Sequence, residues 1–572
     1  MLVSGAEYII DFLREKGVRT VFGYPGSPVL DIYEQFYRCR DDIAAPRHIL
    51  MRHEQGACHA ACGYARATGR PGVCIATSGP GATNLVTAIA DAYLDSVPLL
   101  VITGQVGVMS IGRDAFQEAD IMGITIPVTK HNYLVKRADA LRSTLEEAWR
   151  IASSGRPGPV LVDISRDVFA AQLDDSVPCG SALPRVRENP LTLGSCIDDI
   201  RSALERCYRP VILAGGGTVS AGAGGLLSRF AEKYDIPVAT TLMGMGIKLN
   251  SGARMLGLTG MYGTPAANAA MEQADLVLAA GCRFSDRTVS DFERFSHTKM
   301  LIHADIDSAE ISKNVTADIA AVCSAHELFS CLLDGEMKLR REDISLWNAQ
   351  LDGIFRREKT PPPTPSDRLS CREILRQVDI CEHELRDAIY VTDVGNHQMT
   401  AARELEPIFE RGFITSGGLG VMGFGLPAAI GASLSLSAAD AAGIDTISEY
   451  SPLRARQIVL ICGDGGFQMT MQELAPLARL RSALPVKVFL MDNNALGMIR
   501  TMQRARYEGH LMASELENPD FGAIAGAYGI KSVRLDINSR PTLAADIRAV
   551  LESRENIIVH CVKTSPASGT VL

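Results

Sequence analysis

The chain has 572 residues, 47% of them hydrophobic, and a formal net charge of −9. That length exceeds what one hydrophobic core serves, so about two to four domains are expected. The acidic balance argues against a nucleic-acid partner, which would show a concentrated basic face, and no apolar run nears the roughly 20 residues that a bilayer span needs. The first segment, "MLVSGAEYIIDFLREKGV", reads as an amphipathic helix carrying acids, not as a signal or transit peptide. Fourteen cysteines are scattered without a repeating spacing, so reduced thiols in a cytoplasmic protein are expected.

Residues 52–73, "RHEQGACHAACGYARATGRPGV", place two histidines, a glutamate and two cysteines close together. Cys58 and Cys62 lie one helical turn apart with His59 adjacent, but no second ligand pair follows at zinc-finger spacing. The string is not H-E-x-x-H either. A Cys–His nucleophilic pair fails because sequence neighbours on a helix point apart. Small apolar packing is the expected role of both cysteines.

The rest of the chain repeats one pattern, a short apolar run ending in a small or acidic residue, then a Gly-rich turn and a helix-like stretch. "GVCIATSGPG", "PLLVITGQ", "PVLVDIS", "RPVILAGGG", "ADLVLAAGCR", "KMLIHADID", "AIYVTDVG", "QIVLICGDGG" and "VKVFLMDNN" all read as parallel strands buried on both faces. Strands alternating with helices predict α/β domains that gather ligands at the carboxyl ends of their strands. No fixed-period internal repeat is apparent. Pro-rich punctuation at 170–194 and a stiff polar linker at 358–367 ("EKTPPPTPSD") divide the chain into blocks of about 1–170, 190–345 and 368–560. The stretch 437–456 reads as a surface insertion.

Two Gly-rich loops in the last block compete for attention. "GGLGVMGFGLPAAIGA" contains a literal G-x-G-x-x-G at Gly418, Gly420 and Gly423, with Asp445 downstream. A dinucleotide site needs that acid at the end of a second buried strand, whereas Asp445 sits in the polar "ADAAGIDTISEY". The second loop, Gly463-Asp464-Gly465-Gly466, ends a buried strand and opens a helix. Glycines and a helix start favour an anion, yet an aspartate there would repel a phosphate unless a cation lay between. Asp464 therefore reads as a metal ligand facing a phosphate-bearing molecule, with a second oxygen ligand in "MDNNALGM" at the end of the next strand. Hard Mg²⁺ takes such oxygens.

Gly-Asp-Gly followed after a helix and a strand by Asn-Asn resembles the signature of the thiamine-diphosphate (ThDP) enzymes. The strings "HEQGA", "GYARATG", "ATSGPGATNL", "DSVPLLVITGQV", "GRDAFQEADI", "VTKHNYLV", "GRPGPVLVDISRDV", "TLMGMG", "GMYGT", "GCRFSDR", "HADIDSAEI", "SGGLGVMGFGLPAAIG" and "NPDF" extend the resemblance over nearly the whole chain. It is closest to the acetolactate synthase (acetohydroxyacid synthase) catalytic-subunit family. The resemblance implies three doubly wound parallel-sheet domains: an N-terminal pyrimidine-binding domain, a central FAD-binding-like domain and a C-terminal diphosphate-binding domain. It implies decarboxylation of pyruvate and joining of the remaining two-carbon unit to a second 2-oxoacid.

By the same resemblance Asp464, Asn493 and the carbonyl of Ala495 hold Mg²⁺ against the cofactor's diphosphate, with Asn494 the close alternative to Asn493. Glu54 activates the aminopyrimidine of the cofactor, and Met422 wedges it into a bent shape. Asn396, His397, Gly420, Gly463, Gly465, Gly466, Leu496, Gly497 and Met498 complete the cofactor site. Gln117 addresses the second substrate, with Lys130 and Arg166 receiving its carboxylate. A structural FAD would fall on Arg156, Gly215, Gly216, Thr241, Leu242, Gly260, Met261, Tyr262, Gly281, Arg283, Asp305 and Ile306. Met502 stands where biosynthetic members carry a tryptophan in the acceptor pocket, and Gly107, Asn396, Tyr262 and Ser285 are further departures. Active sites at the interface of a homodimer or homotetramer, and a small regulatory subunit, are implied partners. Another ThDP-dependent decarboxylase or acyltransferase, a catalytically silent regulator and a nicotinamide oxidoreductase are the rival readings.

Overall fold

The structure, a computed structural model, describes residues 2–174, 192–250, 252–289, 291–358, 368–436, 451–480 and 483–564. The punctuation at 175–191 and 359–367 and most of the expected insertion, including Asp445, lie outside the described residues. Three six-stranded parallel sheets carry the fold. The first contains β1 (Thr20–Gly23), β2 (Arg47–Leu50), β3 (Gly72–Ala76), β4 (Leu99–Gln105), β5 (His131–Val135) and β6 (Pro159–Ser165), in the order β2-β1-β3-β4-β6-β5. The central sheet contains β7 (Pro210–Ala214), β8 (Val238–Thr240), β9 (Met255–Leu258), β10 (Leu276–Ala280), β11 (Met300–Asp305) and β12 (Ile319–Val322), in the order β9-β8-β7-β10-β11-β12. The last contains β13 (Ala388–Thr392), β14 (Phe413–Ile414), β15 (Gln457–Gly463), β16 (Val486–Asp492), β17 (Lys531–Leu535) and β18 (Ile557–Val562), in the order β14-β13-β15-β16-β18-β17.

All nine runs read as strands from the sequence are strands, and every one is interior to its sheet. The edge strands, such as "RHIL" of β2 and "KSVRL" of β17, are half polar because one side meets water, so they carry no continuous apolar run. The first and last sheets share one strand order, a duplication of fold that no sequence repeat announces.

The duplication creates the central packing feature. Helix α1 (Glu54–Thr68) follows the second strand of the first domain, and helix α2 (Gly425–Ser435) follows the second strand of the last. The two helices pack on each other, and one continuous apolar core runs from Phe22, Cys58 and Ala60 through Phe424, Ala428 and Ile430 to Leu460 and Ile558. Both are lined with Ala and Gly because their backbones almost touch. A Cβ at Gly63 would lie 2.1 Å from the Ala428 carbonyl oxygen, and one at Gly431 would lie 1.8 Å from that of Ala60. Cys58 and Cys62 are wholly buried in this seam; burial pushes the Cys62 thiol well up, and for Cys58 the lowering contact with Cys62 is outweighed by Cys74 and by burial, so that thiol is raised too, as the packing reading requires. His59, Cys62 and Asp91 do lie within 4.8 Å of one another. The Asp91 carboxylate, however, already accepts the Ser416 hydroxyl and pairs with Arg66 at 3.4 Å.

Candidate active site

Glu54 is the first residue of α1. Its N-cap is His53, whose Nδ1 accepts the Gln55 N–H at 3.1 Å. The half-buried Glu54 carboxylate accepts Asn84 Nδ2 at 3.0 Å, and Gly81 leaves the space beside it open, a Cβ there coming within 3.3 Å of Oε1. Gly79, two residues earlier, packs against the backbone of Gln117, which takes a positive φ of 60°. The turn between β3 and the following helix thus brings Gln117 and Glu54 to one face. Gln105, at the end of β4, holds the Gln117 loop through Ala119 O (3.0 Å) and is itself fixed by Asp163 (2.9 Å). Burial pushes the Asp163 carboxyl up to about 6, against its bonds to Thr103 and Gln105. Arg166 lies exposed at the carboxyl end of β6.

Lys130 stands apart from this group within one chain. Its ammonium donates to the carbonyls of Ile151 and Ser154 at the end of helix Ala138–Ser153, and burial pushes it down to about 8. Satisfied helix-end carbonyls explain this lysine, and within the chain it does not join the Glu54 group.

At the carboxyl ends of β13, β15 and β16 a second group forms around a cavity of about 150 Å³. Its lining includes Asn396, His397, Met422, Gly463, Asp464, Gly465, Gly466, Asn493, Ala495, Leu496, Gly497 and Met498, and no residue of the N-terminal domain. Asn493 faces this cavity, whereas Asn494 does not and turns away with a φ of 51°. Met422 leans over the turn, its Cε 3.2 Å from where a Gly465 Cβ would be. Side chains at Gly463 and Gly466 are excluded by the His397 ring (2.9 Å) and the Asp393 carboxylate (2.7 Å). His397 is buried, which pushes it down to about 4 and keeps the ring neutral.

Asp464 Oδ2 accepts Asn518 Nδ2 at 2.7 Å and the Ala495 N–H at 3.3 Å. Burial, added to the neighbouring Asp492, pushes its carboxyl up to about 6, and among the described residues it forms no ion pair. Asn493 Oδ1 is buried without a hydrogen-bond partner. An uncompensated carboxylate beside an unpartnered amide oxygen is the donor set that a hard divalent cation completes. Burial also opposes ionisation of Asp492, but His560 (2.9 Å), Asn518 (2.8 Å) and the Asn494 N–H outweigh it and hold this carboxyl below its usual range.

Two residues that sequence reasoning passed over organise this group. Asn518 bridges Asp464 and Asp492, and its only signal was the short string "NPDF". Asp393, fully buried, accepts the N–H groups of Val394, Gly423 and Gly425 and so ties the Met422 loop to the end of β13. Burial pushes it up to about 6. These bonds also dispose of the G-x-G-x-x-G loop as a dinucleotide site. The Gly418 N–H is taken by Asp95 and that of Gly423 by Asp393, so neither is free for a pyrophosphate.

A larger cavity of about 870 Å³ lies between the three domains. Arg156, Gly216, Thr241, Leu242, Tyr262, Gly281, Arg283, Asp305 and Ile306 line it, together with Ser285, Gly420, Met498 and Met502. Gly215, Gly260 and Met261 do not. Gly215 is pressed against the Gly281 carbonyl and Gly260 takes a φ of 102° under Arg287, so both are turn residues. Met261 points outward. Arg156 is held by Glu310 (2.7 Å), Asp307 (3.1 Å) and Ser96 (2.7 Å), joining the first and central domains. No helix among the described residues is long and apolar enough to cross a membrane.

Comparison with known proteins shows the same three-domain order. Residues 3–124 match the N-terminal TPP binding domain of thiamine pyrophosphate enzymes, 197–332 the central domain and 393–561 the C-terminal TPP binding domain. The acetolactate synthase large subunit of Lactococcus lactis is 40% identical over 566 residues, covering 98% of this chain and 93% of that one. An acetolactate synthase of Arthrospira platensis is 41% identical over 93% of this chain and 90% of its own. The large subunit of Corynebacterium glutamicum is 42% identical over 93% and 82%. With three matched domains in the right order and relatives about 40% identical over nearly its whole length, the chain belongs to the thiamine pyrophosphate enzyme family, in its acetolactate synthase branch.

Proposed function

We propose that the protein decarboxylates pyruvate and joins the remaining two-carbon unit to the carbonyl of a second 2-oxoacid, giving 2-acetolactate when that acid is pyruvate. The observation that supports this reading is that one chain carries both a Glu54 face and an Asp464–Asn493 turn at the strand ends of two domains with the same strand order. Thiamine diphosphate, when bound, supplies the carbanion-stabilising centre that decarboxylation of a 2-oxoacid requires. Asp464, Asn493 and the Ala495 carbonyl would hold Mg²⁺ at its diphosphate. Glu54 would share a proton with its pyrimidine ring nitrogen, and Met422 would fill the space beneath it. Gln117 and Arg166 orient the second 2-oxoacid, and Met498 and Met502 border its approach with flexible thioethers. His397, neutral and buried, packs the diphosphate turn from behind.

Because, among the described residues, none of the N-terminal domain lines the Asp464 cavity in one chain, the working unit is a dimer in which Glu54 comes from the second copy. A small regulatory subunit would join such a large subunit. The larger cavity would take FAD in a structural role. Its volume lies in the range of cofactor sites, about 300–1,000 Å³, and the strand-end glycines Gly216 and Gly281 border it. Purified protein with pyruvate, Mg²⁺ and thiamine diphosphate should form 2-acetolactate, and Glu54→Gln should remove most of that turnover. Carbon dioxide release without carbon–carbon bond formation would replace this reading with a simple decarboxylase.

A further inference from the structure

The seam between the first and last domains contains a pair of carboxylate contacts that none of the roles above uses. Helix α3 (Asp464–Thr470) leaves the diphosphate turn and is followed by a tight turn ending at Glu473, whose side chain has no exposed surface. Both Glu473 oxygens accept the Arg52 N–H, at 3.0 and 3.1 Å, and the carboxylate also accepts the N–H of His53. These are the two residues immediately ahead of Glu54. Gly56, on the next turn of α1, is the place where the carboxylate enters, since a Cβ there would lie 2.4 Å from Oε1. The Arg52 side chain also acts on this carboxylate as a nearby positive charge.

On the other side of the same seam the device appears in reverse, from the first domain to the last. Asp95 of the N-terminal domain accepts the N–H groups of Gly417 (3.0 Å) and Gly418 (2.7 Å), and Asp91 accepts the Ser416 hydroxyl. That segment leads into the Met422 loop and α2. Each domain thus lends a buried acid to the chain entering the other domain's equivalent helix. A helix start leaves backbone N–H groups without intrahelical partners; at α1 the His53 amide and the Arg52 amide before it are taken by the opposite domain, while the Gln55 N–H is taken locally by His53.

We propose that Glu473 is a positioning residue for Glu54: by holding the amides of Arg52 and His53 it sets the entry of α1 and therefore where the Glu54 carboxylate is aimed. The proposal rests on the thiamine-diphosphate reading of Glu54. It assigns to the C-terminal domain control over a catalytic group whose partner turn lies in a second chain.

The test uses Glu473→Gln, which keeps the volume but turns an NH₂ toward backbone donors, and Gly56→Ala, which displaces the carboxylate from the other side. In protein free of cofactor, backbone hydrogen exchange in a peptide covering residues 50–58 should quicken in both variants. In loaded protein, deuterium exchange at C2 of bound thiamine diphosphate should slow about 10- to 100-fold, the range seen when an outer-shell partner is lost, with cofactor affinity within about threefold of wild type. Adding Glu473→Gln to Glu54→Gln should slow that exchange no further, because the two residues act as one unit. Multiplicative losses in the double variant, or normal C2 exchange in Glu473→Gln, overturn the positioning role even if the variant is less stable. Wild-type protein that fails to accelerate C2 exchange over free cofactor overturns the thiamine-diphosphate reading itself, and the proposal with it.

Discussion

Gly431→Ala sets two well-understood effects against each other at the contact on which both half-sites depend. In a helix interior, alanine is favoured over glycine by roughly 1 kcal/mol. At this position, however, the new methyl would sit 1.8 Å from the carbonyl oxygen of Ala60, where real Cβ contacts are not found below 3.0 Å. The helices α1 and α2 would have to part by at least about 1.2 Å. The obstacle is backbone, so no rotamer change relieves it. Overpacking of a dense core costs about 1–3 kcal/mol or more, and the parting also loosens the wholly buried neighbours Ala60, Ala428 and Ala432. We expect a net loss of about 2 kcal/mol, roughly a 30-fold change in the folded-to-unfolded ratio. Glu54 rides on α1, so turnover should fall as well. The assay is the urea midpoint of the transition reporting the shared core, compared at unchanged slope. A variant as stable as wild type, or more so, would refute the argument from helix contact.

Asn518→Ala removes the amide whose Nδ2 donates to both Asp464 (2.7 Å) and Asp492 (2.8 Å), so calorimetry should show Mg²⁺–thiamine diphosphate binding about 10- to 100-fold weaker. Unchanged affinity would mean that Asp464 needs no second support. Glu382 is wholly buried beside Asp387 and bonded to Gln457, and burial pushes its carboxyl up to about 8. A carboxyl that binds its proton more tightly in the folded state adds stability fully present below its unfolded value near 4.5 and lost as pH rises through about 8. Glu382→Gln should flatten the decline between those limits, read as urea midpoints at pH 5 and pH 8. An undiminished slope in the variant would place the titration elsewhere.

What the sequence determined by itself is the chemistry that is local in the chain. A buried parallel strand writes its whole length in apolar residues, so nine interior strands were legible, and with them the turns at their ends that carry Asp464 and Asn493. Glu54 was legible because a helix start concentrates its neighbours in one string. Edge strands were not, because water on one side permits a mixed composition. Nor were the duplication of the first and last sheets, the contact of Gly63 and Gly431 with facing carbonyls, the ties made by Asp393 and Asn518, or the capture of Lys130 by a helix end. Glu473 meets Arg52 across 421 positions of chain. Hydrogen bonds and close approaches of that kind depend on which surfaces meet, and no periodicity or spacing along one segment encodes the partner.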